Sequence, residues 1–282
     1  IKNVKIIPSQ NEQGASIAAE AYARVSRGVG LGIATSGPGM INLLQGVACA
    51  YFDSIPMIFI AGAPPVSHLK GTRQTRQLGF QECEVVGIVK PITKYAVLVT
   101  DPKRIRYELE KLYYYATEGR KGPVVLDLPD DLQRAEINPD ELEAFVPPIN
   151  KEKPSLSEDT IGQLLAMIKE AKKPVVIVGS GVKIGQAEIG VKAFLKKSEL
   201  PFAGTWSTLD LFIEDEPNFI GSFGVSSTRA GNFAVQNSDL IISLASRLDT
   251  HETGSDPSKF AINAKKIMVD IDPHEIYKDN GI

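Results

Sequence analysis

The chain has little with which to hold a metal and nothing long enough to cross a bilayer. Its 282 residues include three histidines, two cysteines and one tryptophan. His68, His251 and His274 lie far apart, and neither Cys49 nor Cys83 has a second cysteine or a histidine at ligand spacing, so a structural zinc is not expected. The two thiols read instead as reduced residues of a cytoplasmic protein. No segment approaches the ~18 unbroken apolar residues that a membrane helix needs. A basic excess is missing too: 31 Lys and Arg against 34 Asp and Glu leave a formal charge of -3. With no long basic run to neutralise phosphates, nucleic acid is not an expected partner. Finally, no methionine opens the chain. Ile1 to Ile7 reads as a short strand already inside a domain, and the natural N-terminus is expected to be missing.

What is present is the composition of a globular protein, 43% hydrophobic and 23% charged, over a length that suits two domains of ~100 to 200 residues each. Short β-branched runs alternate with helical stretches: Val4 to Ile7, Gly14 to Val25, Gly30 to Thr35, Asn42 to Tyr51. Met57 to Ala61 follows as a strand ended by Gly62. Then come a helix over Arg104 to Tyr115 and a strand from Pro123 to Leu128. This alternation predicts βα units around a parallel sheet. From Pro129 to Pro154 the chain turns acidic and proline-rich without an apolar period, which reads as a linker. Beyond it, helices over Ile161 to Ala171 and Ile189 to Leu195 alternate with strands at Pro174 to Val178, Leu240 to Ala245 and Lys266 to Ile271. The expected fold is α/β: two doubly wound, Rossmann-like parallel-sheet domains, over 1–135 and 155–282, joined by a linker over 136–154. The last strand is followed closely by Ile282, and the C-terminus too is expected to be cut.

Two stretches carry the chemistry. In Asn11-Glu12-Gln13-Gly14, a carboxylate sits where a strand passes into an alanine-rich helix, at the sheet edge where open parallel sheets bind ligands. On spacing alone Glu12 reads first as a helix-capping residue. Thr35-Ser36-Gly37-Pro38-Gly39 opens the next helix, and its glycines let a backbone approach a flat ring or a phosphate, although many such turns are only tight connections.

In combination, Glu12-Gln13-Gly14, the helix Ala19-Glu20-Ala21-Tyr22-Ala23-Arg24, Thr35 to Gly39, Asn42, Asp53-Ser54-Ile55-Pro56, Phe80-Gln81-Glu82 and Gly122-Pro123-Val124 resemble the pyrimidine-binding domain of thiamine-diphosphate enzymes. The resemblance is closest to acetolactate synthases. Residues 151 to 282 resemble the middle domain of the same family, through Val178-Gly179-Ser180-Gly181, Asn237-Ser238-Asp239, Arg247-Leu248-Asp249 and Asp270-Ile271-Asp272. The resemblance implies that Glu12 hydrogen-bonds the pyrimidine nitrogen of thiamine diphosphate and so activates it. A 2-oxo acid such as pyruvate then loses carbon dioxide, and the remaining fragment passes to a second carbonyl compound. A carboxyl group in that role is expected to be buried, with a raised pKa.

Pro38, Gly39 and Asn42 match family positions along the aminopyrimidine. Phe80 and Gln81 match positions beside the reacting carbon, with Phe80 equally readable as a core residue. The loop Gly71 to Gly79 before Phe80 is several residues longer than the usual synthase pattern, which leaves the acceptor open. Arg120, the Gly221 to Gly231 turn, Arg247, Asp270 and Asp272 match positions that contact FAD in flavin-containing relatives, although Gly179-Ser180-Gly181 also fits a general βα turn and Arg247 with Asp249 fits a solvated ion pair. The family's Gly-Asp-Gly…Asn motif, which holds Mg2+ and the diphosphate, does not occur. It is expected in a further domain, no residue of this chain is assigned to a metal, and the chain alone is expected to be inert. The resemblance further implies a homodimer or homotetramer. Rival readings are a pyruvate oxidase, a 2-oxo acid decarboxylase, or a non-catalytic nucleotide-binding regulatory protein that has no need of Glu12.

Overall fold

A computed structural model describes residues 5–148, 156–213 and 215–278. The chain divides into two compact units, Ile1–Ile149 and Asn150–Ile282.

In the first unit the elements are α1 (Glu12–Ser26), β1 (Gly30–Ala34), α2 (Pro38–Phe52), β2 (Met57–Ala63), β3 (Tyr95–Leu98), α3 (Ile105–Thr117) and β4 (Pro123–Pro129). The four strands are all parallel, in the order β1-β2-β4-β3. Central strands of such sheets are covered on both faces, and β4 accordingly buries Val124, Val125 and Leu126 completely. On one face Met57, Phe59 and Ala61 are fully buried, as are Leu43, Val47 and Ala50 of α2. On the other, Leu112 and Ala116 of α3 pack with Val124 and Leu126. Each large side chain so buried contributes about 1.5–3 kcal/mol of transfer free energy.

Of the first expected strand, Val4 lies outside the described residues, and Lys5 to Ile7 form none, with Ile6 and Ile7 exposed. Strand β2 also runs through Gly62 instead of ending there, because Gly62 pairs with Leu128. The acidic stretch after β4 is less irregular than its prolines suggest. It contains short helices at Asp130–Gln133 and Pro139–Glu141, and Phe145 packs on Tyr107 and Tyr114 of α3. Of the aromatic run Leu112 to Tyr115, Leu112 is core, Tyr115 stacks on Tyr95, and Tyr113 is exposed.

The second unit comprises α4 (Glu158–Glu170), β5 (Pro174–Val178), α5 (Glu188–Ser198), β6 (Phe202–Gly204), β7 (Phe219–Ser222), α6 (Arg229–Gln236), β8 (Leu240–Leu244) and β9 (Lys265–Val269). Its parallel sheet has the order β7-β6-β5-β8-β9. Counted within the unit this is 3-2-1-4-5, the doubly wound order whose switch point lies between β5 and β8. Alternate residues of β5 and β8 feed two cores, Ile177 and Ile241 on one face, Val176 and Ile242 on the other. The Asp239 carboxylate, accepting from the Lys172 and Lys173 amides at 2.7 and 2.8 Å, ties the entrance of β8 to that of β5.

Candidate functional site

The first unit gathers its polar groups at the carboxyl edge of the sheet. Helix α1 begins at Glu12 because Asn11 caps it, accepting from the Gly14 amide at 2.7 Å. Glu12 therefore occupies the first turn of a helix rather than a loop, where the helix dipole favours its charge. The Nδ2 of Asn42, on α2, donates to Glu12 Oε2 at 3.0 Å. That bond, with the backbone amide of Glu12, holds the carboxyl below its usual range. The expectation of a buried, raised carboxyl is thus not met in this chain: Glu12 is half-exposed, and the amides that stabilise its ionised form outweigh what little desolvation it suffers.

Gly39, in the first turn of α2, faces this carboxylate. A β-carbon there would stand 2.9 Å from Thr35 Cγ2 and 3.7 Å from Glu12 Oε1, so the missing side chain leaves a strip of bare backbone beside the acid. Pro38 supplies the first residue of α2, where its lack of an amide proton costs nothing. Gly37 has φ +57, and a β-carbon there would collide with the carbonyl of Gln81, itself left-handed at φ +59. Glu12, Pro38, Gly39, Asn42 and Gln81 are in this way brought to one edge. Phe80 is there too, but 82% exposed, which removes the core reading. It lines a groove on the same edge with Ile33, Ser36, Ile60, His68 and Asp130.

Two residues missed in the sequence support this edge. The carboxylate of Glu82 accepts from the amides of Lys70 at 2.5 Å and Leu78 at 2.7 Å, closing the intervening loop on itself. Asp127, opposite Ala61 in the register, is 4% exposed, and its Oδ1 has no hydrogen-bond partner. Burial, with the charge of Glu84 nearby, pushes its carboxyl up to about 7. A lone acid in a run such as Val124-Val125-Leu126-Asp127-Leu128 was the one signal available for it.

Arg120 lies at the opposite, amino edge of this sheet, donating to Ser54 Oγ at 2.9 Å. The other residues assigned with it belong to the second unit. There Arg247 pairs with Asp249 at 3.1 Å, Asp270 accepts from the Asp272 amide, and Asp272 caps the short helix Pro273–Ile276. In the turn after β5 the amides of Gly179 and Gly181 donate to the carbonyls of Leu244 and Ala245, and the space a side chain of Gly179 would take is filled by the Ala245 carbonyl. The turn after β7 is closed internally: Asn232 bonds both the amide and the carbonyl of Gly224, at 2.8 and 3.0 Å. Beside it Trp206, Gly224, Ser227, His251 and Glu252 line a small hollow, with the Trp206 ring packed at a tilt against His251.

A parallel α/β unit with an acid and an amide clasped over bare backbone at its carboxyl edge, followed by a second unit of dinucleotide-fold order, defines a cofactor-binding class of protein. Comparison with known sequences gives the particular family. Residues 1–88 match the thiamine pyrophosphate enzyme N-terminal TPP binding domain, and residues 161–282 match the thiamine pyrophosphate enzyme central domain. The chain belongs to the thiamine pyrophosphate enzymes. It is 39% identical over 281 residues to the acetolactate synthase large subunit of Corynebacterium glutamicum, covering 98% of this chain and 43% of the relative. Acetolactate synthase isozyme 2 large subunit of Escherichia coli is 36% identical over 269 residues, 95% of this chain and 47% of the relative. The chloroplastic acetolactate synthase of Arabidopsis thaliana is 36% identical over 279 residues, 98% and 40%. The chain thus spans less than half the length of these relatives. Among the described residues no helix is long and apolar enough to cross a membrane, and no cluster of three or more His, Cys, Asp or Glu is arranged to hold a metal ion.

Proposed function

We propose that this chain forms the pyrimidine-binding and central parts of a thiamine-diphosphate-dependent 2-oxo acid carboligase of the acetolactate synthase kind, with pyruvate as donor. The observation that carries the reading is the Glu12 carboxylate, fixed by Asn42 beside the bare backbone of Gly39. That strip would hold a flat aminopyrimidine, with Glu12 available to its ring nitrogen. When bound, thiamine diphosphate supplies the nucleophilic carbon and the electron sink for decarboxylation.

The protein's share is to place and hold protons. Covering Glu12 with an aromatic ring strips its remaining water and raises its pKa, which favours sharing a proton with the ring nitrogen near neutrality. Asn42 keeps the carboxylate oriented, and Pro38 and Gly39 supply backbone to the ring. Gln81, whose backbone is fixed against Gly37, would help hold the cofactor and substrate on this edge, and Phe80 beside it would cover them from water. We assign Mg2+ and the diphosphate to residues outside this chain, from the family resemblance. For the second unit we assign an FAD or nucleotide site to Arg247, Asp270, Asp272 and the hollow at Gly224. A cytoplasmic homodimer or homotetramer is the corresponding assignment for the whole protein.

The test is carbon dioxide release from pyruvate by the full-length protein, with and without thiamine diphosphate and Mg2+, beside Glu12→Gln. Cofactor-dependent release that vanishes in the variant is expected. Release that survives in Glu12→Gln would refute the role given to Glu12. Acetolactate as product distinguishes the carboligase from an oxidase, which yields hydrogen peroxide, and from a decarboxylase, which yields free aldehyde. Visible flavin absorption of the purified protein tests the FAD assignment, and a colourless holoenzyme would overturn it.

A further inference from the structure

Asp127 is an acid that the catalytic reading does not use. Strand alternation puts its side chain on the face of β4 that carries Val125, beside Ala61 of β2, where it is buried. Its backbone is paired, the carbonyl accepting from the Val99 amide at 3.1 Å. Its carboxyl is not, since Oδ1 has no hydrogen-bond partner among the described residues. The elements around it bring no base. Strand β2 and helix α2 contain no charged residue, nor does the short helix Val85–Val89. Cys49 of α2 stands among Glu20, Asp53 and Arg24 instead, and Tyr95 of β3 donates to Glu108 at 2.8 Å. Past the strand, Asp130 pairs with Arg134 at 2.7 Å and Asp131 accepts from the Val66 amide at 3.2 Å. What faces Asp127 is Cys83-Glu84. Burial, then the charges of Asp127 and Glu84, push the Cys83 thiol up, with Lys70 acting the other way. A carboxyl group so placed, with one oxygen unpaired and a like charge beside it, is held neutral, because burial disfavours the ion and nothing compensates it.

The segment beside Asp127 leads to the carboxyl edge. On one side it is anchored by Val85 and Val89, both buried, and the Glu84 side chain folds back so that a β-carbon on Gly87 would lie 3.2 Å from its Cγ. On the other side the Glu82 amide donates to the Gly79 carbonyl at 3.2 Å. Between them Gln81 is left-handed, and its carbonyl stands where Gly37 would carry a β-carbon. Gly37 caps α2, whose first residues, Pro38 and Gly39, form the strip beside Glu12. Packed backbone of this kind does not deform gradually, so a displacement of Cys83 and Glu84 is passed to Gln81 and on to that strip. Ionised, Asp127 would set a second negative charge against Glu84 from a site of low dielectric, where like charges repel most strongly.

We propose that Asp127 is a positioning residue for the reaction at the carboxyl edge: as a neutral acid it seats Cys83 and Glu84 and so fixes Gln81 against Gly37, and on ionising it repels Glu84 and lifts the segment. This rests on the carboligase reading above. The step is the exchange of one proton with solvent, and no bond of the substrate takes part in it. The Asp127 carboxyl is pushed up to about 7, so the seated form prevails below neutrality and is lost as pH rises through that value.

The experiment follows carbon dioxide release from pyruvate by the full-length protein, with thiamine diphosphate and Mg2+, from about pH 6 to about pH 8.5, beside Asp127→Asn and Glu84→Gln. For a group titrating near 7 the protonated fraction falls about thirtyfold over that range. The kcat/KM of the wild type, divided by that of Asp127→Asn, should fall by about the same factor. Glu84 is exposed, so Glu84→Gln should fold; it takes away the repelling charge and should leave a smaller fall. A ratio that stays constant with pH, or an undiminished fall in Glu84→Gln, would overturn the proposal. A second readout needs no turnover. At the alkaline end the Glu82 amide should exchange with solvent about tenfold faster in the wild type than in Asp127→Asn, and at the acid end the two should agree. Equal exchange at both ends would mean that the segment stays seated over an ionised Asp127, which also overturns the proposal. Absence of carbon dioxide release at every pH is failure of the carboligase reading instead, and the exchange rates then still decide whether Asp127 governs the segment.

Discussion

The side-chain amide of Asn42 donates to the carboxylate of Glu12 across 3.0 Å, joining the second turn of α2 to the first turn of α1, 30 positions earlier. This contact lowers the Glu12 pKa more than any other. Asn42→Ala is therefore expected to raise the pH at which Glu12 titrates, and carboxyl-carbon NMR with Glu12 assigned through Glu12→Gln would measure it. An unmoved titration would mean that the helix start alone sets the value. In the full-length enzyme the same variant should slow turnover less than Glu12→Gln, since it misorients the acid without removing it.

Asp127 gives a stability prediction with a definite sign. Its carboxyl is pushed up to about 7 by burial and by Glu84, while in the unfolded chain it titrates near ~3.9. Between these values the folded state retains a proton that the unfolded state has released, so stability falls as pH rises from about 4 to about 7. The loss is of the order of a few kcal/mol at most. Asp127→Asn, which cannot ionise, should flatten that slope and melt above the wild type at pH 8. Melting temperatures of the two proteins from pH 4 to pH 8 decide the matter. Parallel curves would show that Asp127 titrates in the fold as it does in the unfolded chain.

Much of this was legible in the sequence, and the reasons differ from element to element. Helix α1 was legible from its alanine-rich run, while its start at Glu12 on the Asn11 cap, two residues before Gly14, was not. Strands β2, β4, β5 and β8 were legible because central parallel strands are continuous apolar runs. Strand β6, only Phe202–Gly204, and β3, Tyr95–Leu98, were not, since three or four residues carry no period. Glu12, Gly39 and Asn42 were found through family resemblance, and the structure adds why they meet. The Glu82 clasp was invisible because its partners are backbone amides, which sequence does not distinguish. The environment of Glu12 was misjudged for a related reason: whether a carboxyl is buried or clasped depends on what stands over it in space, not on its neighbours in the chain.

Gly37 is held by geometry on two counts, a left-handed φ of +57 and the Gln81 carbonyl in the place of its β-carbon. Alanine in that backbone region costs about 1–2 kcal/mol, and the collision adds to it by displacing Gln81. Gly37→Ala should lower the urea midpoint and, in the full-length enzyme, reduce turnover beyond what the lost stability explains. A variant with wild-type turnover would show that the position of Gln81 does not matter to the reaction.

Glu82 provides a local test that needs no substrate. Its carboxylate is the acceptor for both the Lys70 and Leu78 amides, and hydrogen bonds to a charged group are worth about 1.5–3 kcal/mol each. Glu82→Ala removes both, so the two amides should exchange with solvent about tenfold to a hundredfold faster while those of β2 and β4 keep their protection. Glu82→Gln retains one acceptor oxygen and should fall between. The charge matters because a carboxylate serves two donors at once through separate oxygens, whereas a carboxamide offers one oxygen and turns its own donors toward the other amide. Because the folded Glu82 titrates below its unfolded value, the clasp is complete above the unfolded pKa near ~4.3 and is lost as pH falls through the folded one. Exchange at Lys70 and Leu78 that rises in step with β2 and β4 would mean that the loop opens only with the whole unit. A rise confined to those two amides would make the loop a separate opening unit governed by one carboxylate.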